Sequence, residues 1–124
     1  MSPRGPRTAE PESFLPLHRD TFHILVSLAD RERHGYAIMQ EIGDRTDGAM
    51  RLGPGTLYGS LKRLVDAGMV EESVERPDPA LDDERRRYYR ITQHGMAVAR
   101  AEARRLDALV HDARQKKLLG RATA

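Results

Sequence analysis

The apolar positions change period several times along the chain. From His18, residues Phe22, Leu25, Val26 and Ala29 recur on one helical face, widened by Ile24 and Leu28, and predict a first helix over roughly residues 18–30. "RERHG" turns the chain, and Tyr36, Ile38, Met39, Ile42 and Thr46 mark a second amphipathic helix that ends at Thr46-Asp47-Gly48. A third begins near Pro54, because proline suits a first helical turn where its missing N–H would have no partner. Leu57, Leu61, Leu64 and Val65 fall at i, i+4, i+7 and i+8, and Gly68 closes a segment of about fourteen residues. Beyond it the apolar residues alternate with glutamates at Met69, Val70 and Val74, as in a half-exposed strand. "RPDPALDDE" is a turn-rich excursion, and "RRRYYRIT" returns with Tyr88, Tyr89 and Ile91 as a second strand, completing a hairpin. From Thr92, a good N-cap, Ala, Arg, Glu and Leu dominate a last helix of about 24 residues.

This order predicts a mainly α protein with a small β-hairpin: a winged helix-turn-helix followed by a long C-terminal helix. Helices two and three form the helix-turn-helix, and the hairpin forms the wing. The expected organisation is a flexible N-terminal arm over residues 1–16, a winged helix-turn-helix over 17–91, and a C-terminal dimerisation helix with a short tail over 92–124. The arm carries Pro3, Pro6, Pro11 and Pro16 and few apolar anchors. Its Arg4 and Arg7 could enter a minor groove or serve only solubility.

Composition narrows the class. A chain of 124 residues has room for one compact domain. With 39% hydrophobic and 32% charged residues it is too apolar for a wholly disordered chain and too charged for a membrane protein. No apolar run reaches the roughly 18 residues of a spanning helix, and the N-terminus lacks the apolar core of a signal peptide, so a cytoplasmic protein without membrane partners is expected. There is no cysteine, which excludes disulfides, thiolate metal sites and cysteine nucleophiles. His18, His23, His34, His94 and His111 show no metal-ligand spacing, and no nucleophile–base–orienter set is evident; neither a metal, a cofactor nor an enzymatic activity is expected. The net charge of +2 does not by itself imply nucleic acid, because a binding face is made by local clustering.

The stretch "LGPGTLYGSLK" resembles a phosphate-cradling loop, but the lysine of a G-x-x-x-x-G-K-[ST] motif is absent after Gly59, and no strand precedes Gly53. As the start of a helix it reads more simply. Gly53 and Pro54 set the entry angle, and free N–H groups at the helix start can meet a DNA phosphate. Thr56 and Tyr58 lie on the early polar side, Gly59 leaves room beside a groove wall, and Ser60, Lys62 and Arg63 continue the solvent face. Lys62 and Arg63 are equally consistent with ordinary solvated charges. In the wing, Arg85, Arg86 and Arg87 follow Asp82-Asp83-Glu84, which can pair with them when DNA is absent. Strand alternation sends Arg86 to one face and Arg85 and Arg87 to the other.

"HGYAIMQEI", "LGPGTLYGSLKRLVDAGMVEE" and "RRRYYRITQHG" resemble, in order, the signature segments of the PadR family of bacterial transcriptional regulators. The resemblance covers about residues 20–112. It implies a dimeric winged-helix repressor similar to the short subfamily, in which a single C-terminal helix supplies the dimer interface. It implies DNA contacts at Thr56, Tyr58 and Lys62 and around Arg86 and Arg87. It also implies an inverted-repeat operator in double-stranded DNA, released when a small phenolic or drug-like effector binds. The chain has no tryptophan, so a pocket of stacked indoles, as in some multidrug-sensing members, is not available.

The last helix also reads without the family. Ala99, Ala103, Leu106, Val110 and Ala113 form a near-heptad stripe, with Met96 and Leu109 beside it. A helix of about 24 residues spans about 36 Å, more than one small core covers, so part of it is expected to meet a second subunit. Phe22, Met96 and Leu106 are candidate lining for an effector cavity between the last helix and the first, or ordinary core. Two functions remain open: a repressor that occludes a promoter as a homodimer, and a winged-helix module that grips a protein. Steep salt dependence separates the first from the second.

Overall fold

The computed structural model describes residues 10–73 and 87–120. A single 3-10 turn, Pro11–Phe14, precedes α1 (Arg19–Leu28), β1 (Arg33–His34), α2 (Gly35–Arg45), α3 (Pro54–Asp66), β2 (Val70–Ser73), β3 (Tyr88–Ile91) and α4 (Gln93–Gln115). The predicted hairpin is the larger part of a three-stranded antiparallel sheet in the order β1-β3-β2. Val70 faces Ile91 and Ser73 faces Tyr88 across the hairpin, while Arg33 and His34 pair with Tyr89 and Tyr88 on its other edge. The "RERHG" segment, expected only to turn, therefore supplies a two-residue strand, too short to carry an alternation in sequence. His34 also caps α2, its Nδ1 accepting the Ala37 N–H at 3.1 Å.

One face of each helix closes on a shared core. Ile24, Leu25, Leu28, Ile38, Ile42, Leu57, Leu61 and Val98 are all at most 2% exposed, and burial of each such side chain stabilises by about 1.5–3 kcal/mol. α1 lies at the centre, against α2, α3, α4 and β3. Arg45 ties α2 to it, with Nε on Glu41 Oε2 at 2.8 Å and Nη2 on the His23 carbonyl at 3.2 Å. The turn into α3 is set by Thr46, whose hydroxyl donates to the Ile42 carbonyl at 2.8 Å and accepts the Met50 N–H at 3.0 Å. Gly48 takes the left-handed conformation there at φ 79°, which side chains rarely tolerate.

The segment before α1 is not a free arm up to residue 16. The Phe14 ring meets the His94 ring edge-on at 5.3 Å, and Leu15 and Leu17 pack against the core. The Leu17 N–H donates to Glu102 Oε2 at 3.2 Å. Glu102 is buried on α4 and also accepts from Arg105 at 2.6 and 3.0 Å. That pairing, first of all, holds its carboxyl below the usual carboxylate range. The apolar stretch 14–17 is short and broken by Pro16, so its docking left no periodic signal.

α4 begins locked to the sheet. The Thr92 hydroxyl accepts the Gly95 N–H at 3.0 Å and donates to the Gly68 carbonyl at 2.6 Å. Gly95 is pressed on the Met69 carbonyl; a Cβ there would lie 2.9 Å from both the Met69 carbonyl carbon and Ile91 Cγ1. The expected dimer stripe divides along this helix. Ala99 is buried in the chain's own core beside Val98 and Ala101, which removes it from any surface offered to a partner. Ala103 is exposed and Leu106 and Ala113 are half-buried, while Leu109 is 56% and Val110 36% exposed.

Candidate nucleic-acid interface

The exposed face of α3 is built by the pattern that buries its other side. Leu57, Leu61 and Leu64 anchor the helix, and Pro54, Gly55, Thr56, Lys62 and Arg63 are left outside. Its start is open. α1, α2 and α4 are capped by the side chains of His18, His34 and Thr92, whereas Gly53 provides no side-chain cap to α3. The Leu57 N–H bonds the Gly53 carbonyl at 2.9 Å, so the N–H groups of Gly55 and Thr56 precede the first intrahelical bond and point out of the helix end. Among the described residues, no atom beyond the adjoining residues and the helix's own backbone comes within 4 Å of where a Cβ at Gly53 or Gly55 would sit. The fold's own packing does not demand these two glycines; their effect is to keep the helix end low and approachable.

Two expected contact residues are placed differently. Ser60 is 3% exposed rather than on the solvent face, and its hydroxyl accepts from Arg63 Nη2 at 3.1 Å. It sits beside Leu64 at the edge of the inner arc, where its hydroxyl holds the Arg63 guanidinium. Tyr58 is half-buried, with its ring wedged against the start of α2: a Cβ at Gly35 would lie 2.6 Å from Tyr58 Cζ. Tyr36, grouped with the apolar face of the second helix by its spacing, is instead 47% exposed.

Tyr58 also borders a cleft of about 350 Å³ between α3 and the hairpin. Lys62, Val65 and Asp66 continue the helix wall, and Glu72, Arg87 and Tyr89 form the opposite one. Lys62 Nζ lies 3.7 Å from Asp66 Oδ2, and Arg87 Nη1 lies 3.4 Å from Glu72 Oε1. All four side chains are 42–79% exposed, so these pairs are weak and exchangeable. The Tyr89 phenol is pushed up to about 12, chiefly by burial and then by the Glu72 carboxylate; it stays neutral and adds no negative charge to the cleft. A third pair, Arg90 Nε to Glu71 Oε1 at 2.6 Å, crosses the two strands. Arg85 and Arg86 lie outside the described residues. Asp66 and Glu72 were not singled out in the sequence, although the i,i+4 spacing of Lys62 and Asp66 was there to find.

The three candidate effector residues are not gathered. Met96 borders an open depression with Ile91, Thr92, Gln93 and Arg100. Phe22 packs half-buried on the core, and Leu106 lies further along α4; neither borders that depression. Among the described residues no group of three or more His, Asp or Glu is placed to hold a metal ion, and no helix is long and apolar enough to cross a membrane.

Residues 24–101 match the family model of the transcriptional regulator PadR-like family. The chain is 37% identical over 90 residues to the transcriptional regulator Rv3488 of Mycobacterium tuberculosis, covering 73% of this chain and 78% of that one. Among solved structures it is similar to a transcriptional regulator from Clostridium thermocellum, with a TM-score of 0.63, 24% identity, and 77% of this chain and 86% of the other covered. It is likewise similar to a PadR family transcription regulator from hypervirulent Clostridium difficile R20291, with a TM-score of 0.61, 22% identity, and 76% and 95% covered. These two likenesses bear on the fold, a mainly helical winged helix with a small antiparallel sheet.

Proposed function

The chain belongs to the PadR-like family of transcriptional regulators, and on that premise we propose that it is a repressor that binds an inverted-repeat operator as a homodimer and releases it in response to a small-molecule effector. It is a regulator and not an enzyme. The observation that carries the reading is the asymmetry of α3, whose leucine face is sealed in the core while its uncapped start, Thr56, Lys62 and Arg63 face outward. An uncapped helix start attracts phosphate through its N–H groups and its dipole, and an exposed helix with basic residues suits a major groove.

Dimerisation is supported by the distal half of α4. Leu109 and Val110 form an apolar strip beyond the reach of the chain's own core, among Arg104, Asp107, Asp112 and Arg114. A two-fold axis there sets the two α3 helices in successive major grooves, about 34 Å apart. Repression follows if the dimer covers a promoter, and release follows if a bound effector changes the separation of the two α3 helices.

The test is selection of bound sequences from a random duplex pool with the purified protein. The expected result is an inverted repeat whose half-site centres lie about 10 bp apart. A folded dimer that enriches nothing, and whose weak duplex binding ignores salt, would overturn the DNA reading in favour of a protein-interaction module.

A further inference from the structure

The cleft between α3 and the hairpin gathers two cations from distant parts of the chain, Lys62 and Arg87, each already beside a carboxylate. Resting on the DNA-binding reading above, we infer that this cleft is a single phosphodiester site: Lys62 and Arg87 close on one backbone phosphate, which displaces Asp66 and Glu72 from them.

The geometry suits one group rather than two. A space of about 350 Å³ is roughly 9 Å across if taken as a sphere, and two charge-assisted N–H···O bonds plus the width of a phosphate span about 8 Å. Both cations are long, exposed side chains that can swing inward from opposite walls. The four charged lining residues sum to zero when the cleft is empty, since two acids balance two bases, and the two cations become available to a singly negative phosphodiester only when it displaces the acids. Exposed pairs at 3.4 and 3.7 Å give way to such a ligand readily. The neutral phenol of Tyr89 lies at the same cleft and can donate a further hydrogen bond. Lys62 contributes from the helix and Arg87 from the wing, so one phosphate here would fix the angle between the two reading elements.

The experiment is a salt titration of duplex binding by the full-length chain with Lys62→Ala, Arg87→Ala and the double variant, using a duplex of two helical turns, about 20 bp. If both cations serve one phosphate, each single variant flattens the log K against log salt slope by well under one unit. The double variant then flattens it by about 0.9, and the second substitution costs less than the first. Single losses of about 0.9 that add to about 1.8 in the double variant would overturn the shared site, because the residues would then neutralise separate phosphates. A wild-type chain with no salt-dependent duplex binding would sink the DNA reading itself, a result distinct from additive slopes. Asp66→Asn with Glu72→Gln should tighten duplex binding by about tenfold, roughly threefold for each like charge removed from near the phosphate; unchanged affinity would overturn the displacement. Inorganic phosphate, followed by amide shifts around Tyr89, separates the two sources of the group. Saturation by phosphate alone, with duplex binding indifferent to both substitutions, would assign the cleft to a free phosphate ligand instead.

Discussion

Replacing Gly95 by alanine tests the joint between the sheet and α4. In most helical positions that change stabilises by up to about 1 kcal/mol. Here the new methyl would run into the Met69 carbonyl and lie 2.9 Å from the Met69 carbonyl carbon and from Ile91 Cγ1. Two of these atoms are backbone and cannot turn aside as a side chain would, so the start of α4 must lift from the Met69 backbone, just before β2, at a cost of about 1–3 kcal/mol. Lifting it also stretches the 2.6 Å bond from the Thr92 hydroxyl to the Gly68 carbonyl. The net expectation is a loss of about 1–2 kcal/mol, or about 4–8 °C in Tm at 1 kcal/mol per about 4 °C. Gly59→Ala is the internal comparison, because the nearest atom to its added methyl is Arg63 Nη1 at 3.8 Å; it should gain about 0.5 kcal/mol. Thermal unfolding followed by circular dichroism measures both, at one protein concentration because a dimer's Tm depends on it. A Gly95→Ala chain as stable as Gly59→Ala would refute the close seating of α4 on the sheet.

Other expectations follow from the same geometry. Gly55→Ala should leave Tm unchanged or slightly raised, since its methyl meets open space. It should nevertheless weaken duplex binding about fivefold in a filter or anisotropy assay, equivalent to a single hydrogen bond between the helix start and a phosphate. Leu109→Glu with Val110→Glu should yield a monomer by sedimentation while the helical circular dichroism is kept, because both side chains lie outside the chain's own core. Glu102, depressed below its usual value of about 4.5 by Arg105, adds stability that is complete above that pH and is lost as pH falls through its lower folded value. Urea midpoints at pH 7 and pH 3 should therefore converge in Glu102→Gln relative to the unchanged chain, and an identical acid sensitivity would remove Glu102 from that role.

The helices were legible because each buries a stripe with its own period. Leu57, Leu61 and Leu64 marked both the extent of α3 and the side that had to face inward, and Pro54 and Thr92 marked helix starts to within a residue. Ser60 was misplaced for a related reason: a small hydroxyl inside a leucine arc looks polar in sequence, and only the packing shows that Arg63 answers it. Likewise Tyr36 has apolar spacing yet lies at the edge of its face, where the arc opens to water. Contacts between distant segments left no local trace. Arg33 and His34 become a strand only because Tyr88 and Tyr89 lie beside them, and Glu102 looks like one more surface charge until Leu17 and Arg105 enclose it. Of the candidate interface, the exposure of Thr56, Lys62 and Arg63 could be placed from helical phase alone, whereas the cleft needed the hairpin to fold back beside α3. Arg86 lies beyond the described residues.

The lock at the start of α4 makes that helix a lever. From Gly95, seated on the Met69 carbonyl, to Val110 the rod runs about 22 Å at 1.5 Å per residue. In the proposed dimer, a tilt of about 10° at the Leu109–Val110 end would swing each winged domain by about 4 Å, slightly more than the roughly 3.4 Å rise of one base-pair step. A hinge at residues 92–95 would absorb such a tilt, but the contact of Gly95 with Met69 leaves no slack for one. Small rearrangements between the two rods would thus be geared directly to whether both heads can sit in their grooves together.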